Sequence, residues 1–116
     1  MPDDIEPSFV VVGDGVPAKS AIQFLIDTGA NIIAVYTTPE ESRGLVALLD
    51  RAKLPWADSS NLRDPSYNFP NTPMNCWLIN AFSSLILHDK ILKPFADRAL
   101  NLHNGPLPNY AGINVT

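Results

Sequence analysis

An alternation constrains this chain more than any other feature of its sequence. Short continuous apolar runs end at turn residues, and stretches with helical spacing separate them. Residues 9–12 (FVVV) are apolar throughout and stop at Gly13. A run this short, closed by glycine, reads as a strand buried on both faces. Gly13-Asp14-Gly15 turns the chain, and Pro17 suits the first turn of a helix. Ala18, Ala21, Ile22, Leu25 and Ile26 then recur at helical intervals up to Gly29, a good C-terminal stop. Residues 31–36 (NIIAVY) form a second apolar run, broken by Thr37-Thr38-Pro39.

The pattern continues. Ser42 is placed to cap a second helix, with Leu45, Val46, Leu48 and Leu49 on its inner side. Leu54-Pro55-Trp56 reads as a short edge strand, because proline is tolerated better at an edge than at a centre. Residues 58–75 are polar and turn-rich, and their length predicts a helical turn near residues 61–64. Residues 76–80 (CWLIN) are the next strand, and residues 81–87 fit either its continuation or a loop. Asp89 opens a helix through Leu92 towards Ala96, and residues 100–103 are the last strand. The order β-α-β-α-β-loop-β-α-β predicts an α/β fold with a mostly parallel, doubly wound sheet and right-handed crossovers. Such sheets bind ligands beyond the carboxyl ends of their strands, near the reversal in strand order. Residues 13–16, 80–87 and 101–112 fall at such junctions.

The bulk properties narrow the function classes. A length of 116 residues suits one domain or part of one, and a hydrophobic fraction of 46% supplies a core. Twelve acidic residues against 8 basic ones, with no basic tract, argue against nucleic acid bound through this segment. The single cysteine, Cys76, excludes an internal disulfide and reads as a buried thiol ahead of an apolar run. No stretch approaches the roughly 18–20 apolar residues of a membrane span. The opening MPDDIEP is acidic, unlike a secretory signal, so no membrane association and a cytoplasmic location are expected.

Among candidate sites, the GDGVPA run at Gly13, Asp14 and Gly15 lacks the third glycine of a dinucleotide fingerprint. Pro17 also removes a donor from the helix start. The turn suits either amides facing a substrate anion or a purely structural bend. His88, His103 and Cys76 show no metal-ligand spacing. Ser83-Ser84 lack a nucleophile elbow. Asn101 and His103 carry the strongest signal. Two apart at a strand end, they share one face, with Leu102 directed the other way into the sheet's packing. An imidazole suits proton transfer near neutral pH, and an Asn amide can donate to an oxygen that gains negative charge. The pair suits addition of an amine to a carbonyl, and the alternative is a polar pair satisfied by backbone groups at a sheet edge.

The stretch LNLHNGPLPNYAG, residues 100–112, resembles the active-site signature of the folate-dependent formyltransferases. Asn101, His103, Leu107, Pro108, Tyr110 and Gly112 match that pattern in place. Residues 9–13, the helix at 18–28 and NIIAVYTTPEE resemble the family's opening β-α-β, and CWLINAFSSLIL resembles its pterin-holding strand and loop. The resemblance implies a Rossmann-like formyltransferase sheet, with residues 1–116 as the N-terminal portion of a catalytic domain truncated on its C-terminal side. It implies 10-formyltetrahydrofolate as the donor, bound by Phe82, Ser83, Ser84, Leu85 and Ile86. It also implies a small-molecule, aminoacyl, amino-sugar or carrier-bound amine as the acceptor, faced by Gly13, Asp14, Gly15, Asn109 and Tyr110. Asn101 and His103 are the catalytic residues it implies.

The chain departs from the family in two places. Phe82-Ser83-Ser84-Leu85-Ile86 lacks the arginine of many members' pterin loop, so backbone and apolar contacts are expected to grip the folate. The family's catalytic aspartate follows the histidine by some tens of residues, beyond Thr116. The remaining part of the catalytic domain is thus an expected partner, and the fragment alone is expected to turn over little. A donor hydrolase and a noncatalytic interaction domain are the alternatives.

Overall fold

The computed structural model describes residues 6–69, 72–83, 85, 87–95 and 97–102. The elements run β1 (Ser8–Gly13), α1 (Gly15–Asp27), β2 (Asn31–Thr37), α2 (Arg43–Ala52), β3 (Trp56–Asp58), β4 (Cys76–Ala81), α3 (Asp89–Leu92) and β5 (Ala99–Leu102). Single 3₁₀ turns over Pro39–Glu41, Ser59–Arg63 and Lys93–Phe95 join them. The strands form one parallel sheet in the order β3-β2-β1-β4-β5. This is the doubly wound α/β architecture the alternation predicts, and the order reverses between β1 and β4.

β1 is the centre of the sheet. It pairs with β2 on one side and β4 on the other, and Val10, Val11 and Val12 have no exposure. Burial on both faces is why its run is continuous rather than alternating. On one face Val11, Val35, Ile79 and Ala81 pack against Ala18 and Ile22 of α1 and Leu45, Leu48 and Leu49 of α2. On the other, Val10, Val12, Tyr36, Leu78 and Ala99 pack under Leu62, Leu85, Ile91 and Phe95. Helices thus cover one face, while irregular segments and short turns cover most of the other.

The pairing of β1 with β2 slips by one residue between Phe9 and Val10, so that Ile33 has no partner. Such a bulge turns successive residues to the same side. Ile33 and Ala34 accordingly both join the second face, while Ile32 stays with the helices.

Both long helices end in one hydrogen-bonding pattern. After α1, Gly29 N–H donates to Ile26 O at 3.0 Å and Ala30 N–H to Leu25 O at 2.9 Å. After α2, Lys53 N–H donates to Asp50 O at 3.2 Å and Leu54 N–H to Leu49 O at 2.9 Å. These bonds satisfy carbonyls the helix leaves open, and they need a left-handed residue. Gly29 fills that place with φ 77° after α1, and Lys53 fills it with φ 58° after α2.

The two backbone positions predict opposite outcomes. A Cβ on Gly13 would overlap the Ala81 carbonyl oxygen and come within 2.8 Å of Ala18 Cβ. Gly13→Ala is therefore expected to lower the unfolding free energy by about 1–3 kcal/mol, read from urea denaturation. Lys53→Gly relieves the left-handed strain at a smaller unfolded-state cost, and the same measurement should show a gain of about 0.5–1 kcal/mol.

Candidate active site

The strand register assembles the site. Val12 pairs with Tyr36 and with Asn80, and Asn80 pairs with Asn101. Alternation places all four on the face that carries Val10, Leu78 and Ala99. One row therefore crosses β2, β1, β4 and β5 near their carboxyl ends, apolar towards Val12 and ending in two carboxamides. Asn101 is half-buried, and its Oδ1 is sealed from solvent with no hydrogen-bond partner among the described residues. A buried acceptor without a donor costs on the order of 1–3 kcal/mol, so this atom calls for one. His103, Asn109 and Tyr110 lie outside the described residues, as do Ser84 and Ile86.

The turn after β4 is held tightly. Phe82 takes φ 67°, its N–H donates to Leu102 O at 3.3 Å, and Ser83 N–H donates to Asn80 Oδ1 at 3.2 Å. Leu85 N–H then donates to Ser83 Oγ at 3.0 Å. Residues 81–87 are thus a loop from Phe82 onward. Its three described apolar side chains divide between the faces: Phe82 packs beside the helix-side core, while Leu85 is buried in the other and Leu87 packs against it. Ser83 stands between Phe82 and Leu85, half-buried. Leu102 does lie on the face opposite Asn101, but it is 40% exposed rather than packed into the sheet. Among the described residues β5 is the edge strand, and none of its residues joins the core under α1 and α2.

The β1–α1 turn is tied to the end of β2. Asp14 Oδ1 accepts from Thr38 N–H at 2.7 Å and Thr37 Oγ1 at 3.1 Å. Gly15 N–H donates to Ser42 Oγ at 2.9 Å. Ser42 does stand at the N-cap of α2, as its position in the sequence suggests, yet its hydroxyl makes no bond to its own helix. It caps α1 instead. One of the amides that could face an anion is therefore already engaged within the fold. Asp14 Oδ2 takes no hydrogen bond among the described residues.

Tyr36 anchors the other end of the row. Its hydroxyl shares a hydrogen bond with Tyr67 at 2.6 Å, and its ring meets Tyr67 and Phe69 edge to face at centroid distances of 5.8 and 5.6 Å. Phe69 continues the chain of rings to Phe95 at 5.2 Å. Burial first, and the Tyr67 hydrogen bond second, push the Tyr36 phenol above its ordinary range. Cys76 is a free, buried thiol and His88 an exposed residue at the start of α3. Among the described residues there is no cluster of three metal-binding side chains, and no helix is long and apolar enough to cross a membrane.

Two features of the site carried little signal in the sequence. Asn80 stands at an inward position of an apolar run, two residues after Leu78, and that misplaced polarity was its only mark. The Asp14–Thr38 and Gly15–Ser42 bonds join residues 24 and 27 positions apart, which no local pattern announces.

No family model matches the chain, and no curated protein does. Several solved structures are similar to it. Phosphoribosylglycinamide formyltransferase of Coxiella burnetii, in complex with CHES, shares 20% identity at TM-score 0.61, over 91% of this chain and 55% of that one. The enzyme of the same name from Anaplasma phagocytophilum shares 19% at TM-score 0.59, over 91% and 53%. That from Bacillus halodurans shares 13% at TM-score 0.62, over 89% and 59%. Identities this low establish a shared fold. The chain spans a little over half the length of each of these three structures.

The Tyr36 phenol predicts a pH dependence with a definite sign. The unfolded chain releases this proton near pH 10, as an ordinary tyrosine does, while the folded chain holds it to higher pH. Its contribution is complete below about pH 10 and is lost as pH rises further. The urea midpoint should fall between about pH 9 and about pH 11, and fall less in Tyr36→Phe.

Proposed function

We propose that the protein carrying this chain transfers a formyl group from 10-formyltetrahydrofolate to a primary amine. It would be a distant relative of the folate-dependent formyltransferases. The observation that carries this reading is Asn101. The residue matched to the family's signature stands at the carboxyl end of β5, one strand from the sheet's reversal, with a buried oxygen that lacks a donor among the described residues. The shared fold and the signature at residues 100–112 support it.

The residues fit a folate in a particular way. Phe82 and Leu85 are drawn into the two cores, so the groups left for a pterin are the backbone of this turn and the Ser83 side chain, together with Ser84 and Ile86. The start of the turn is bonded to the sheet, Phe82 N–H to Leu102 O and Ser83 N–H to Asn80 Oδ1. When bound, the folate supplies the formyl carbon. Asn101 Nδ2 donates to the formyl oxygen as it gains charge. His103 takes the proton of the attacking amine and returns one to the departing folate nitrogen. An imidazole in this role needs an orienting hydrogen bond, which the remaining part of the catalytic domain would supply. The acceptor is proposed to extend from its attacking amine towards Gly13–Gly15, where Asp14 Oδ2 suits a donor group elsewhere on the acceptor, with Asn109 and Tyr110 as further acceptor contacts.

Titration of the chain with a stable deaza analogue of 10-formyltetrahydrofolate tests the folate site. Saturable binding is expected, and Asn101→Ala should weaken it about tenfold, the equivalent of one lost hydrogen bond. No saturable binding would sink the reading. In the intact protein, label from the donor's formyl group should appear on a primary amine drawn from amino sugars, aminoacyl esters and glycinamides. Release of formate without any acceptor would identify a donor hydrolase instead.

A further inference from the structure

The two carboxamides that end the row face each other's needs. Asn80 and Asn101 are register partners on adjacent strands, which lie about 4.8 Å apart, and their side chains share one face. Asn80 is 9% exposed, and its end-for-end orientation is settled by chemistry. The Ser83 N–H can only donate, so the atom that meets it at 3.2 Å is the Asn80 oxygen. The other end of Asn80 is therefore its NH₂ group, a pure donor. Beside it, Asn101 Oδ1 is a sealed acceptor with no donor among the described residues.

We propose that Asn80 is a positioning residue for Asn101. Its Nδ2 donates to Asn101 Oδ1 when the site is filled, and so decides which end of the Asn101 carboxamide meets the ligand. With Oδ1 held inward, Nδ2 of Asn101 points to the cleft as a donor. Without that bond nothing holds the carboxamide against turning over, and the turned group presents an oxygen lone pair, which repels an oxygen gaining negative charge. The orienting signal starts at a backbone N–H, which cannot change its sense, and passes through Asn80 to Asn101. This inference rests on the formyl-transfer reading above and assigns that reading a further residue.

A purely structural Asn80 would do no more than accept from Ser83 and hold the turn. Asn80→Asp separates the roles, because an aspartate keeps that acceptor and loses the donor. The experiment compares binding of two probes, the formylated deaza analogue and the same analogue without its formyl group. The wild-type chain should prefer the formylated probe. Asn80→Asp should lose about tenfold of that preference near neutral pH, with little change in affinity for the unformylated probe. The lost preference, taken relative to wild type, should return on acidification, when the carboxyl regains a proton to donate. An Asn80→Asp chain that keeps the preference, or that weakens both probes equally at every pH, overturns the role given to Asn80. A wild-type chain that binds neither probe overturns the formyl-transfer reading and this inference with it. Asn80→Ser, which keeps an acceptor and a donor on a shorter arm, should lie between wild type and Asn80→Asp.

Discussion

The placement of the candidate site depends on β1, which is paired on both edges and covered on both faces. Its three valines have no contact with solvent, and its neighbours β2 and β4 continue the chain to opposite sides. Crossovers from a strand so placed leave on opposite faces of the sheet, and a crevice opens at its carboxyl end. Of the residues given a chemical role, the described ones, Gly13, Asp14, Gly15, Asn80, Ser83 and Asn101, lie at that end or within two strands of it. Gly13 closes the strand where the Ala81 carbonyl and Ala18 crowd in, a point with no room for a side chain.

The two faces are covered by unlike means, and the difference shapes the site. α1 and α2 lie over β1, β2 and β4 as regular helices, with Ala18, Ile22, Leu45 and Leu49 almost fully buried. The opposite face is closed by aromatic side chains from an otherwise polar segment. Tyr67 and Phe69 stack edge to face with Tyr36 and with each other, and Phe69 reaches Phe95. Such ring pairs add about 0.5–1.5 kcal/mol each beyond their buried area. They hold a long connection in place without giving it regular structure. The row from Tyr36 through Val12 to Asn80 and Asn101 lies on that face, so the polar pair sits on a floor of packed rings and valines.

Much of the architecture was legible because it rests on local rules. A run such as residues 9–12 admits few states, and Gly29 stops a helix wherever it occurs with this spacing. Strand limits moved by one or two residues at most for β1, β2, β4 and β5, while β3 shifted forward from Leu54-Pro55-Trp56 to Trp56–Asp58. The proline stayed outside the strand as a result, and Pro55 instead lends its carbonyl to Val35 N–H at 3.0 Å. The bulge at Ile33 was not legible, since a uniformly apolar run has no alternation to interrupt. Ser42 stands in sequence where a cap for its own helix belongs. It caps α1 because the N-terminus of that helix lies nearby in space, and a hydroxyl serves whichever N–H it can reach.

Local sequence determined which segments are strands, which are helices and where they turn, because steric preferences and apolar periodicity act over a few residues. It also determined that a carboxamide would stand at the end of the last strand. Only the tertiary structure decided that this carboxamide has Asn80 as its neighbour, that its oxygen is sealed with no donor among the described residues, and that Phe82 and Leu85 are drawn into separate cores. Those outcomes depend on strand order and register, which are set by how the whole chain buries its apolar faces and leave no periodic trace in any single segment.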